Sequence, residues 1–117
     1  MSILLGAALE LAGKLVTIGV DGSKNRDHFS VIATEVASGY QWPLGIWRPE
    51  DYPRHEIPMD VVDQTMDWAF REFNVWRAYC DPRYVESWVA AWKARYGDER
   101  VHLRETASVK LEAYRLL

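Results

Sequence analysis

Cysteine is nearly missing: Cys80 is the one thiol in 117 residues. That excludes an intramolecular disulfide framework and a cysteine-built zinc site, and it fits a reducing compartment. Long apolar runs are missing too. No stretch approaches the roughly 20 residues that cross a bilayer, so no membrane partner is expected. Ser2 to Leu9 is apolar but short, has no basic leading region and runs directly into Glu10 and Lys14, which does not read as a signal peptide. Positive charge is not in excess. With 14 basic and 17 acidic side chains the net charge is −3, which argues against a generally polybasic nucleic-acid binder. Internal repeats and low-complexity tracts do not occur.

What remains is an ordinary globular composition, 49% hydrophobic and 26% charged, at a length that fits one small domain. Charge is unevenly spread. Residues 1–81 carry 7 basic and 12 acidic side chains, whereas 82–117 carry 7 and 5. A basic C-terminal portion beside an acidic N-terminal one suits a phosphate-binding face next to a metal site, and equally suits plain solvated surface. Six tryptophans and six tyrosines would serve a core or an interface.

Hydrophobic periodicity predicts a β-β-β-α-β-α-β-α order. A short apolar helix is expected over Ile3 to Leu11. Strands follow at Leu15 to Val20, His28 to Val36 and Gln41 to Trp47; Pro43 inside the third marks an edge or a bulge. Arg48 to Pro58, with Pro49, Pro53 and Pro58, reads as a loop. A helix from Pro58 to about Phe73 carries Val62, Met66, Phe70 and Phe73 at helical spacing, with Asp60 and Asp63 near its positive end. Val75 to Cys80 is a short strand. A second helix, Arg83 to Tyr96, carries Tyr84, Trp88 and Trp92 and stops at Gly97. A fifth strand, Val101 to Leu103, and a final helix, Ser108 to Leu116, complete an α/β domain whose last strands are joined by helical crossovers, hence a partly parallel sheet.

Two acids occupy matching places. Asp21 follows the first strand, and Asp81 follows the strand after the first long helix. If those strands are adjacent and parallel, both carboxylates emerge at one sheet edge, where ligand sites of α/β folds gather. Paired carboxylates there would hold Mg²⁺ or Mn²⁺, hard ions that prefer oxygen ligands. Asp-Gly and Asp-Pro are also common turn starts, and spacing alone leaves both readings open. Ala8 to Leu15 is not a phosphate-binding loop: its first glycine is alanine, and leucine follows Lys14. His28, His55 and His102 show no metal-ligand spacing. Arg83, Lys93, Arg95 and Arg100 would contact phosphates or form a solvated helix face. Tyr84, Trp88 and Trp92 would stack on bases or, as helical stripes more often do, fill the core.

The ordered set of segments resembles the nuclease domain of phage large terminase subunits. It comprises Val16-Thr-Ile-Gly-Val-Asp21-Gly-Ser-Lys-Asn-Arg-Asp27-His-Phe-Ser-Val-Ile, Trp47 before a Pro-rich loop, the helix Val61 to Phe73, Tyr79-Cys-Asp81-Pro82, and Trp88 onward to Tyr96-Gly97. The likeness spans Val16 to about Val101. It implies a ribonuclease H-like fold with a mixed five-stranded sheet, residues 1–14 forming an apolar segment or linker and 15–117 the nuclease core. It also implies cleavage of DNA concatemers during packaging, with two divalent ions about 3.5–4 Å apart. Asp21 and Asp81 match the family's first and second catalytic acids, and Asp27 a frequently acidic position nearby. The family's third acid, in a His-Asp-Asp-like segment, has no match here, nor does the preceding ATPase domain. Glu105 and Glu112 are the acids beyond Val101, and neither sits in a matching motif.

The resemblance further implies weakly bound Mg²⁺ or Mn²⁺, double-stranded DNA and other terminase or portal components as partners, and the cytoplasm of the bacterial host as the location. Homo-oligomer formation through Ile3, Leu4, Leu5 and Leu9 is an added expectation. Two rivals stand beside this reading. One is a non-catalytic ribonuclease H-like module that docks proteins through aromatic surface. The other is a fragment of a sugar-kinase or actin-like domain, for which the later adenosine motif is lacking.

Overall fold

The computed structural model describes residue 6, residues 10–22 and residues 28–103, the side chains of 82–86 excepted. Five strands, β1 (Leu15–Gly22), β2 (Phe29–Glu35), β3 (Gln41–Trp47), β4 (Asn74–Cys80) and β5 (Val101–Leu103), form one sheet in the order β3-β2-β1-β4-β5. The first three form an antiparallel meander, while β4 lies parallel to β1 and β5 parallel to β4. Two helices, α1 (Met59–Glu72) and α2 (Pro82–Tyr96), supply the crossovers. The described chain is thus α/β with a mixed five-stranded sheet.

Alternation explains why the sheet holds. Val16, Ile18 and Val20 of β1, Phe29, Val31 and Ala33 of β2, Ala78 and Cys80 of β4 and Val101 of β5 are all buried. They form a single core with Val62, Met66 and Ala69 of α1 and Val89 and Trp92 of α2. Burying such a β-branched or aromatic side chain contributes about 1.5–3 kcal/mol. The apolar stripe of α1 is centred on Val62, Thr65, Met66 and Ala69, so Phe70 falls at its margin, stacked on Tyr96 at 3.9 Å between centroids.

Several boundaries differ from the sequence expectation, β2 by one residue at each end and α2 by one at its start. Strand β1 runs on through Asp21 and Gly22, because these residues still pair with Ser30 and Phe29 of β2. Asp21 therefore lies in the strand and not after it. Helix α1 stops at Glu72. Phe73 turns extended and buries its ring edge-on to Trp68, and Asn74, expected to be the breaker, is already the first residue of β4, its amide bonded to the Lys14 carbonyl at 3.1 Å. Two short 3-10 turns, Pro49–Asp51 and Pro53–His55, give form to the loop after β3.

Pro43 lies in edge strand β3 next to a bulge: Val31 pairs with Gly45 but Ile32 with Pro43, leaving Leu44 as the extra residue. Gly97 ends α2 at φ 110°, a conformation that disfavours any side chain. Near the start of the chain, Leu11 is buried in the core and the Gly13 amide bonds to Glu72, so the residues just before β1 are tied to the end of α1. The expected contacts of Ile3, Leu4, Leu5 and Leu9, and the final helix Ser108 to Leu116, lie outside the described residues, as does residue 27.

Candidate metal centre

Strands β1 and β4 are the parallel pair at the middle of the sheet. Their register runs Ile18 to Ala78, Gly19 to Tyr79 and Val20 to Cys80. The ladder continues one step further, since the Asp81 amide donates to the Val20 carbonyl at 2.9 Å. Asp21 and Asp81 are the next residue on each strand, one strand spacing of about 4.8 Å apart along the hydrogen-bonding direction. Both stand at the C-terminal ends of these parallel strands. Asp81 is buried and Asp21 half-buried.

The donor set is two carboxylates, hard oxygen ligands of the kind Mg²⁺ and Mn²⁺ take. Among the described residues no three His, Cys, Asp or Glu side chains form a metal-holding group. Asp27, Glu105 and Glu112 lie outside the described residues. Cys80, immediately before Asp81, is buried, and burial pushes its thiol up from 9.0 to about 12. It is a neutral core residue at neutral pH and not a nucleophile.

The other residues singled out in the sequence take different places. Trp92 is fully buried and its indole N–H donates to Asp63 at 2.7 Å, which makes it core and not a base-stacking platform. Arg95 donates to the same Asp63 oxygen at 2.9 Å and to the Tyr96 hydroxyl oxygen at 3.2 Å, and lies 3.6 Å from Asp67; the bond to Asp63 first, and that to Tyr96 second, hold its guanidinium pKa above the ordinary value. Tyr96 donates to Asp67 at 2.7 Å. Arg100 donates Nε and Nη2 to the Val75 carbonyl at 3.2 and 3.0 Å and lies over the Phe70 ring at 4.8 Å. Of the basic residues proposed for phosphate contact, Arg95 and Arg100 thus serve the fold. His102 stacks on Tyr79 and bonds to the Glu99 carbonyl, and His28 and His55 are exposed.

Asp63 was visible in the sequence only as an acid near a helix start. The signal for its role was a matched pair of four-residue spacings, Asp63 and Asp67 on one helix and Trp92 and Tyr96 on the other, which puts each pair on one helix face.

Over 84 residues, 72% of its length, the chain is 31% identical to the Gene 13 protein of Mycobacterium phage D29. A match of the same extent and identity joins it to the Gene 13 protein of Mycobacterium phage L5. The match covers 14% of the length of either of these curated relatives. No family model matches the chain, and no solved structure matches it. Both of these relatives are phage proteins.

Proposed function

We propose that the chain is the nuclease core of a phage DNA-packaging terminase, ribonuclease H-like in fold, in which Asp21 and Asp81 hold divalent cations that serve phosphodiester hydrolysis. The observation that carries this reading is the register of the two acids: consecutive strands in space, parallel, with Asp81 bonded to the residue before Asp21. The order β3-β2-β1-β4-β5, with β2 the one strand running against the others, supports the ribonuclease H-like assignment, and phage relatives suit the setting.

In this reading the chain supplies a fixed carboxylate pair. Asp81 is held by the central ladder and screened from water, while Asp21 faces solvent more openly and is the side chain nearer an incoming phosphate. A divalent ion bound there supplies a water of lowered pKa and charge neutralisation at the phosphodiester. DNA itself would be met through its backbone, without sequence preference.

Plasmid nicking tests this reading. Two carboxylates leave most of an octahedral shell to water, and Mg²⁺ sheds water reluctantly. The 117-residue polypeptide should therefore nick supercoiled plasmid faintly with Mn²⁺ and little or not at all with Mg²⁺. Asp21→Asn and Asp81→Asn should each abolish the nicking. Cleavage that survives both substitutions would refute the assignment; robust cleavage with Mg²⁺ would point to a further ligand, Glu105 or Glu112 first.

A further inference from the structure

The loop from Arg48 to Pro58 leaves the sheet at the same end as Asp21 and Asp81. Strands β1 and β3 both run antiparallel to β2, and one row of paired residues crosses all three: Gly22 to Phe29 to Trp47. The residue after that row is Arg48 on one side, and the chain following Gly22 on the other. The loop is held firmly. The Tyr52 amide bonds to the Pro49 carbonyl and the Glu56 amide to the Pro53 carbonyl, closing the two 3-10 turns, and Tyr52 and Ile57 pack on the core.

Within this braced loop two consecutive residues that are not glycine sit in the left-handed region, Arg54 at φ 60°, ψ 14° and His55 at φ 56°. There the Cβ crowds the backbone; glycine is the usual occupant and asparagine, aspartate and histidine the next most frequent, so Arg54 is the more strained of the two. Both side chains are exposed, so no core packing offsets the strain. Strain kept at two exposed residues, on a loop that leaves the sheet at the Asp21 and Asp81 end, points to a role for the side chains themselves.

We propose that Arg54 and His55 are phosphate contacts for a DNA duplex lying across the Asp21 and Asp81 end of the sheet. The proposal rests on the nuclease reading and adds the element that orients the substrate. Arg54 carries a full charge and a planar fork suited to a phosphate, and His55 adds a ring N–H donor. Glu50, Asp51 and Glu56 in the same loop cancel any broad positive field, so the contact depends on position. It would therefore register as a discrete change in salt dependence.

The test measures binding of a short labelled DNA duplex in EDTA, across a salt series, alongside thermal unfolding of each protein. The double variant Arg54→Gly/His55→Gly removes strain and side chains together. It should unfold at a higher temperature yet bind several-fold more weakly, with a log-affinity against log-salt slope shallower by about 1 per lost phosphate contact. Arg54→Lys should keep most of the binding. Wild-type affinity and slope in the glycine variant, or a lowered unfolding temperature, would overturn the loop's role and leave the carboxylate site standing. A wild-type chain that retains no duplex at any salt concentration would overturn the nuclease reading along with it.

Discussion

The buried indole N–H of Trp92 donates to Oδ1 of Asp63 at 2.7 Å, and this bond joins α2 to α1 across the top of the core. Because Trp92 is fully buried, its N–H relies on the Asp63 carboxylate for a partner. Asp63→Ala should lower the free energy of unfolding by about 1–3 kcal/mol, the cost of an unsatisfied buried donor. Asp63→Asn, which keeps an acceptor oxygen and loses mainly the half-exposed pairing with Arg95, should cost less than about 1 kcal/mol. Urea unfolding of the two variants checks the difference. Equal losses would mean that charge, and not the indole bond, joins the helices.

Much of the architecture was legible because burial imposes simple periods. Phe29, Val31 and Ala33 alternate, the third strand has the expected limits Gln41–Trp47, and Pro43 marked an edge or a bulge, of which the strand has both. Less legible were features set by partners far away in sequence. The length of β1 depended on Ser30 and Phe29, which hold Asp21 and Gly22 in the ladder. The role of Asp63 depended on Trp92, 29 residues later. The acid pair was legible from matching positions at two strand ends, but its adjacency required the parallel pairing of β1 with β4. The left-handed backbone at Arg54 and His55 left no trace in residue type.

Gly45 is required by close approach. A Cβ there would come within 2.2 Å of the Trp47 ring, which folds back over its own strand and packs on Phe29 at 6.2 Å between centroids. Trp47 is itself largely buried and has little room to move away. Gly45→Ala should destabilise the protein by about 1–3 kcal/mol, as overpacking does. Chemical denaturation reads the loss, and a shift in Trp47 fluorescence should accompany it. A neutral or stabilising effect would show that the ring is free to swing out.

Alkaline pH should weaken the fold through Cys80. Burial raises the thiol from 9.0 to about 12 in the folded state, whereas in the unfolded chain it ionises near its ordinary value. The folded pKa is the higher one, so the contribution is fully present below pH 9 and is lost as pH rises from 9 toward 12. Over that window the unfolding free energy should fall by about 1.4 kcal/mol per pH unit from this group. Tyr96, pushed up to about 12 by burial and its bond to Asp67, adds a loss of the same sign beginning above pH 10. Cys80→Ala should flatten the slope between pH 9 and 10; an unchanged slope would mean the thiol is not protected by the core.

The carboxylate pair is tested most directly by Mn²⁺ titration followed by electron paramagnetic resonance, which counts free ion without requiring catalysis. Wild-type protein should bind Mn²⁺ weakly and release it to excess Mg²⁺, since both ions compete for the same oxygen ligands. Asp21→Asn and Asp81→Asn, each folded by circular dichroism, should each lose that binding, because either change removes one of the two acids that β1 and β4 bring side by side. Binding that persists in both variants, or no carboxylate-dependent binding in the wild-type chain, would contradict the assignment of Asp21 and Asp81 as a metal centre.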